Sequence, residues 1–193
     1  MRLAGRNGNK MDGLDIVLAI IAVPVLFFIA FLIWPVSIGG GKNSSRRAAG
    51  ISNAKQVVLA MKAYSQDWDD LLPPARNWET TIRKYVDSER VFTLPIPPNH
   101  PVHRFALNAP MSGMNLVQLE SPDSAVLVFE TDSPTESAVG GQDMVRAFPE
   151  SKVAIIGVGD LHVRALQLTK TGSLTWSPKF KHPSKSEKER TTK

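Results

Sequence analysis

The feature that most constrains this chain is an apolar run near its N-terminus. Residues 16–36, with the sequence IVLAIIAVPVLFFIAFLIWPV, carry no charged and no polar side chain. As an α-helix these twenty-one residues extend about 31 Å, which matches the roughly 30 Å hydrocarbon core of a bilayer. The run therefore predicts a transmembrane helix, which we place at 14–38, behind a short N-terminal segment of residues 1–13.

A cleaved secretory signal is the alternative for this run, because basic residues precede it at Arg2, Arg6 and Lys10. The run is longer than the roughly 7–15 residues of a signal-peptide core, and no convincing small-residue cleavage site precedes Trp34. We therefore expect the segment to be retained as an anchor.

Basic residues also follow it, at Lys42, Arg46, Arg47 and Lys55. The charges alone leave its orientation open.

Composition excludes several kinds of site and places most of the net charge at one end. The chain has no cysteine, which rules out a disulfide framework, a thiolate metal site and a cysteine nucleophile. Of the net charge of +5, residues 179–193 contribute +4, because six basic residues there accompany two acidic ones. So polar a segment has little apolar surface to bury. Burial therefore cannot offset the conformational entropy that the segment would lose on becoming ordered. We predict a disordered basic tail at 174–193, solvated rather than binding nucleic acid.

Residues 44–68 predict an amphipathic helix. Apolar side chains recur on one side of it at spacings of three and four residues. They are Ile51, Ala54, Val57, Val58, Ala60, Met61 and Tyr64. Ser44 or Ser45 is a suitable N-cap, and Pro73-Pro74 forces a stop, so we expect the helix to end near Asp67. The acidic residues from Asp67 to Asp70 could hold a cation, but a solvated turn is the expected structure.

Three later segments predict β-strands, because they are β-branched or alternating and are bounded by Gly, Pro, Asp or Ser. They are residues 125–130 (AVLVFE), 153–158 (VAIIGV) and 162–168 (HVRALQL). The last two are close enough to form a hairpin through Gly159, Asp160 and Leu161. Together these segments predict an antiparallel sheet of at least three strands.

Shorter elements and the need to cover the sheet complete the predicted fold. A further short strand is expected at 105–108, a packing helix at 78–86, and a turn or short helix at 115–120. The sheet has an apolar face, and the helix at 44–68 is the only long element able to cover it. We therefore predict an α+β domain at 39–173, in which a long amphipathic helix packs on a small antiparallel sheet.

The order of these segments resembles the type IV pilins and the pseudopilins of type II secretion. Asn53–Gln56 and Leu59–Asp69 are similar to the family's NLKQIGLALxxYxxDYD helix end. The further matches follow in family order: Pro73–Ala75, Trp78 with Tyr85 and Val86, Val91–Pro95, Ser121–Glu130 and Val153–Leu166. The resemblance covers residues 53–168. It implies a pilin-like domain carried by an N-terminal transmembrane helix.

The resemblance also implies a candidate processing site, with a departure from the family pattern. Gly13 and Leu14 stand where a prepilin would be cleaved. The family has a Glu five places after the glycine, and this chain has Leu18 there. That Glu is thought to neutralise a neighbour's N-terminal amine, a pairing that matters because an unmatched charge in hydrocarbon is costly. Leu18 therefore departs from the family pattern at a position that is linked to prepilin processing and filament assembly.

A second set of departures lies in the family's C-terminal signature, a His, nine residues and then Asp-Gly. Asp160 is retained, Leu161 replaces the glycine, and Glu150 stands at the position of the His. Asp160 and His162 invite a catalytic interpretation, but no nucleophile or third group lies nearby in the sequence. We interpret these two residues as parts of a structural turn.

The functional expectation from the resemblance is a structural subunit of a type II secretion or type IV pilus-type assembly. The chain would cross the inner membrane once, with its N-terminus cytoplasmic and its domain extracytoplasmic. Its partners would be the lipid bilayer and other pilin-like subunits, bound through the N-terminal helix. The alternative, which Leu18 favours, is a membrane-tethered extracytoplasmic binding module that does not assemble.

We expect no catalytic, cofactor-binding or metal site, and therefore no enzyme. The sequence shows no Gly-rich phosphate loop, no metal-ligand spacing and no paired carboxylates outside a turn. His100 and His103 lie two residues apart in a Pro-rich stretch. They could bind a metal weakly, but an exposed loop is the expected structure.

Overall fold

The computed structural model of the protein describes residues 41–97, 99–147 and 152–181. These residues form an α+β fold in which one long helix packs on a five-stranded, mostly antiparallel sheet. The predicted fold class is confirmed at this level. Across the described ranges, no helix is both long and apolar enough to cross a membrane. The predicted span at 14–38 and the segment 1–13 lie outside the described residues.

Helix α1, Gly41–Asp67, is 27 residues long and presents the predicted apolar stripe to the sheet. The stripe residues buried there are Ala54, Val57, Val58, Ala60, Met61 and Tyr64. The helix ends at the predicted place, because Asp69 and Asp70 adopt positive φ angles of 50° and 60°. Asp visits this left-handed region more readily than most residues.

The sheet contains five strands in the order β3-β1-β2-β4-β5. Their bounds are Arg104–Asn108 for β1, Val126–Thr131 for β2, Val139–Gly140 for β3, Val153–Val158 for β4 and Val163–Gln167 for β5. Strands β1 and β3 pair in parallel and the other neighbours are antiparallel. All four predicted strands are present, whereas the short strand β3 was not predicted.

Both faces of the sheet are covered, and strand β2 is buried along its whole length. Helix α1 covers one face, and part of the predicted tail helps to cover the other. There Leu174 is buried, and the ring of Trp176 meets that of Phe129 edge-on at 5.3 Å between centroids. The predicted start of the disordered tail at 174 is therefore wrong, because these apolar side chains bury surface on the sheet. Residues 182–193 lie outside the described part of the chain.

Two glycines allow α1 to approach the sheet closely. A Cβ atom on Gly157 of β4 would lie 2.5 Å from a methyl carbon of Val58 and 2.8 Å from one of Val128. On the helix, a Cβ on Gly50 would lie 2.7 Å from the Cδ1 atom of Ile155. Because Gly157 and Gly50 have no side chain, the helix and the sheet lie closer together than larger residues at these positions would allow.

The short elements before β1 are mostly single helical turns. The predicted helix at 78–86 appears as helix α2, Trp78–Ile82, followed by a 3₁₀ turn at Arg83–Tyr85. Trp78 is fully buried, and its Nε1–H donates to the carbonyl of Ala138 at 2.9 Å. This bond fixes α2 against the segment that leads into β3.

The region predicted as a turn or short helix at 115–120, between β1 and β2, contains a 3₁₀ turn at Leu116–Gln118.

Candidate functional sites

The turn between β4 and β5 holds the sequence-predicted residues Asp160 and His162. The amide of Leu161 donates to the carbonyl of Val158 at 3.0 Å, and the amide of Val158 donates to the carbonyl of His162 at 3.0 Å. Leu161 has a φ of 71°, in the left-handed region that glycine enters without strain. Leu161 therefore occupies a backbone conformation that glycine would adopt with less strain.

The Asp160 carboxylate is engaged within this turn. One oxygen accepts from the His162 amide at 3.0 Å, and the other lies 3.0 Å from His162 Nδ1. The amide of Asp160 donates to the carbonyl of Pro122 at 2.9 Å, which ties the turn to the loop before β2. Because the imidazole of His162 is 78% exposed, solvent screens this pair strongly. The geometry suits a surface turn held by an aspartate.

A shallow groove of about 310 Å³ lies between this turn and helix α1. Lys62 lines it from the helix, Asp160 and Leu161 line it from the turn, and Val117 lines it from the 3₁₀ segment before β2. Val117 is 64% exposed and Leu59, on the outer face of α1, is 58% exposed. Surface near α1 therefore carries apolar side chains that the domain itself does not bury.

The first turns of α1 are less buried than the rest of the helix. The side chains of residues 43–49 are exposed or half-buried, and burial begins at Gly50. Seven helical residues extend about 10 Å. The helix therefore leads into the domain with two turns that the sheet does not cover, and its outer face further along is polar apart from Leu59.

A buried hydrogen-bonded pair joins His103, just before β1, to Glu130 near the end of β2. His103 Nδ1 lies 3.0 Å from Glu130 Oε1, and the amide of Ile155 donates to the other carboxylate oxygen at 3.1 Å. Burial raises the pKa of Glu130, and the hydrogen bond from His103 offsets part of the rise. The prediction of an exposed loop is wrong for His103, because its side chain is buried and lies at hydrogen-bond distance from Glu130. His100 is exposed.

A second buried pair lies beside the first. Arg104 Nη2 donates to Glu79 Oε2 at 2.9 Å, and Arg104 Nη1 donates to the carbonyl of Pro134 at 3.2 Å. Burial raises the pKa of Glu79, and the charge of Arg104 offsets part of the rise. Sequence reasoning considered His103 only as a weak metal ligand and did not single out Glu79, Arg104 or Glu130. The available signal was a charged residue at the end of each of two apolar strands, Arg104 and Glu130.

The acidic turn after α1 is held by polar contacts within the chain. The hydroxyl of Tyr85 donates to Asp67 Oδ2 at 2.6 Å, and Lys62 Nζ lies 3.9 Å from Asp70 Oδ1. Among the residues that the structure describes, no cluster of three His, Cys, Asp or Glu side chains could hold a metal ion. Gly13, Leu14 and Glu150, on which other sequence predictions rest, lie outside the described residues.

Comparison with known proteins adds no assignment. No family model, no curated protein and no solved structure matches the chain. The similarity to type IV pilins and pseudopilins stays a prediction from the motifs between residues 53 and 168.

Proposed function

We propose that this protein is a membrane-anchored, pilin-like structural subunit of a type II secretion or type IV pilus-type assembly. The observation that carries the proposal is the placement of helix α1. Within the described residues this helix extends from Gly41, and in the sequence the apolar run ends at Val36. The same helix then supplies the apolar cover of the sheet. A hydrophobic segment followed in the sequence by a helix that covers the sheet of an α+β domain is the arrangement that the family resemblance implies.

The exposed parts of α1 are suited to contact with other subunits. Residues 43–49 are not buried by the domain, and Leu59 places an apolar side chain on the outer face. In the proposed assembly, neighbouring subunits pack along the N-terminal helices and continue this contact onto the outer face of α1. Apolar side chains that one subunit leaves exposed would lose their contact with water in that packing.

The proposed location follows from the same assignment. The apolar run crosses the inner membrane once, the N-terminus is cytoplasmic and the domain is extracytoplasmic. The bilayer and other pilin-like subunits are the partners. The proposal gives the domain no catalytic step and no cofactor.

Leu18 supports a second candidate function. In the family that the chain resembles, a Glu at that position is thought to match a neighbour's terminal amine, and Leu18 carries no carboxylate. In this alternative the domain is permanently tethered, does not assemble, and binds its partner outside the cytoplasm.

The N-terminal sequence of the protein isolated from the membranes of its own host tests both candidates. A mature chain that begins at Leu14 would support processing as a prepilin. An intact N-terminus would contradict processing at Gly13 and favour the tethered module.

Cysteine cross-linking tests subunit contact along α1, and the chain has no native cysteine to interfere. A Leu59→Cys variant in host membranes should form disulfide-linked dimers on mild oxidation. Gln167→Cys is the matched control, because Gln167 is also exposed but lies on the edge strand β5. Equal cross-linking of the two variants, or none at Leu59→Cys, would contradict packing along this face.

A further inference from the structure

Three apolar side chains are exposed where the turn after α1 meets the segment between β1 and β2. Trp68 is 53% exposed, Leu71 42% and Val117 64%. Asn115 joins the two segments, because it is bridged to Leu71 and its Oδ1 atom accepts from the amide of Val117 at 3.0 Å. We call these three side chains the turn patch. The domain itself leaves this apolar surface in water.

The indole of Trp68 has one open face. Its other face stacks on the buried ring of Tyr64, with 5.7 Å between the ring centroids and 17° between the ring planes. An open indole face attracts cations, Arg and Lys among them, because the face of the ring carries negative charge density. The stems of Lys and Arg also cover apolar surface while their charged ends stay in water. The turn patch therefore suits a polar segment that carries basic side chains.

The turn that holds Trp68 is negatively charged. It contains the carboxylates of Asp67, Asp69 and Asp70. Lys62 lies 3.9 Å from Asp70, and Lys84 lies over the ring of a neighbouring tyrosine. Even with both lysines counted, the turn keeps a net negative charge. A basic segment is therefore complementary to this surface in charge as well as in shape.

The described part of the chain ends beside the turn patch. Lys181 is its last residue, and the amide of Lys181 donates to the carbonyl of Gln118 at 2.6 Å. The two segments that meet here are antiparallel, through the bridge one residue earlier. A chain that continues in the same direction therefore passes Val117 and reaches Asn115, which is bridged to Leu71.

Residues 182–193 are long enough to cover the turn patch and carry the required charge. Fully extended, twelve residues span roughly 40 Å, whereas neighbouring chain segments in such pairings lie only about 5 Å apart. The segment contains four basic and two acidic side chains, for a net charge of +2. Length, direction and charge all lead to the same surface.

A second copy of the domain fits the patch less well. Contact between two identical patches would place the acidic turn of one chain against the acidic turn of the other, which is unfavourable. A segment tethered at Lys181 is instead present at a high effective concentration next to the patch. The occupant that these observations favour is the chain's own C-terminal segment.

We propose that residues 182–193 dock on the turn patch of the same chain. A Lys or Arg side chain of this segment lies over the open face of Trp68 and pairs with the Asp69 carboxylate, while its stem contacts Leu71 or Val117. In this arrangement the segment is not solvated throughout, in contrast to the prediction from its composition. The proposal is independent of membrane anchoring and of assembly.

Paramagnetic broadening of the tryptophan indole N–H signals tests the proposal in the full-length chain in detergent micelles. The chain has no native cysteine, so Ser186→Cys carries a single spin label. Trp68 should lose most of its signal intensity. Trp176 is the internal control, because it lies only ten residues from the label in sequence but packs against Phe129 on the other face of the sheet. Equal broadening of Trp68 and Trp176, as a freely moving tail would cause, would overturn the proposal, as would an unchanged Trp68 signal.

An equimolar mixture separates contact within one chain from contact between chains. The spin label is placed on chains without isotope enrichment, and the signals are recorded from enriched chains without a label. The Trp68 signal should keep its intensity in this mixture. A loss as large as that within a single labelled chain would show that the tail of a second copy occupies the patch, and would overturn docking within the chain.

Two matched aspartate variants test the charge pairing. Asparagine at position 69 accepts the left-handed backbone, for which φ is 50°, so Asp69→Asn should keep the turn. The ratio of docked to free tail should fall about two- to fivefold, seen as a recovery of the Trp68 signal. Asp143→Asn is the control, because Asp143 is also exposed but follows β3 at one edge of the sheet. Equal recovery in both variants, or none in Asp69→Asn, would overturn the proposed pairing.

Discussion

The interface beneath helix α1 and the edge of the sheet where β1 begins are both buried, but they are built from different side chains. Beneath α1, Val58 and Met61 belong to one apolar cluster with Phe105, Leu127 and Ile155. At the edge, four ionisable side chains are buried instead, and we call this group the charged edge: Glu79, His103, Arg104 and Glu130.

The comparison shows how differently the two regions depend on geometry. Apolar burial is favourable in almost any arrangement that excludes water. A buried charge is tolerated only when a partner lies at hydrogen-bond distance, because removing a charge from water is costly. The apolar interface therefore supplies stability, whereas the charged edge demands specific partners. Two of its own atoms, Glu79 Oε1 and Arg104 Nε, have no hydrogen-bond partner among the described residues.

The largest expected effect comes from the apolar interface. Phe105 is fully buried on β1, and replacing it by alanine leaves a cavity that its neighbours fill only in part. Phe105→Ala should lower the free energy of unfolding by about 4 kcal/mol. Urea unfolding followed by tryptophan fluorescence measures this change. Leu59→Ala is the control, since Leu59 is 58% exposed and its removal should cost little; similar losses in the two variants would contradict this account of the core.

Much of the apolar interface could be predicted from the sequence, because its signal is periodic. The stripe on α1 and the strands β2, β4 and β5 were found from spacing and β-branching alone. The charged edge could not be found in this way. Arg104 and Glu79 are 25 residues apart, as are Glu130 and Ile155, and nothing local in the sequence indicates which charges the fold brings together.

The charged edge should give the next largest effect. In Glu130→Ala, His103 Nδ1 and the amide of Ile155 lose their acceptor inside the fold. Each unsatisfied buried group costs about 1–3 kcal/mol, so a loss of about 3 kcal/mol in the free energy of unfolding is expected. The same urea titration measures it. A loss below that of Leu59→Ala would show that water reaches the edge and solvates these groups.

The pH dependence of Glu130→Gln sharpens the same comparison. Burial raises the pKa of Glu130 above its ordinary value of 4.5, so the folded state binds this proton more tightly than the unfolded state. The contribution of the Glu130 carboxyl group to the free energy of unfolding is complete at pH values below its ordinary pKa. This contribution is lost as the pH rises through the raised pKa of the folded state. Glutamine cannot ionise, so the variant should lose less stability than the wild type across this window. Urea midpoints measured from pH 4 upward in both proteins, with His103 present in each, test this sign; parallel profiles would contradict it.

A smaller effect should come from the contact that sets the distance between α1 and the sheet. A Cβ on Gly157 would meet methyl groups of Val58 and Val128, whose branched side chains move little. Gly157→Ala should therefore destabilise the fold by about 2 kcal/mol. Gly50→Ala is the matched variant, because its new methyl meets the flexible end of Ile155 and alanine favours the helix by about 1 kcal/mol. Similar losses of unfolding free energy in the two variants would contradict the difference between a stiff and a yielding neighbour.

The smallest effect concerns Leu161, where backbone conformation and packing oppose each other. Its φ of 71° favours glycine, whereas its side chain is half-buried and packs against the apolar core. Substitution by either glycine or alanine removes the packing, but only glycine also relieves the left-handed backbone. Leu161→Gly should therefore be more stable than Leu161→Ala by about 1 kcal/mol, measured by urea unfolding. If alanine were the more stable of the two, the turn would have relaxed to another conformation, and the left-handed backbone would not favour glycine at this position.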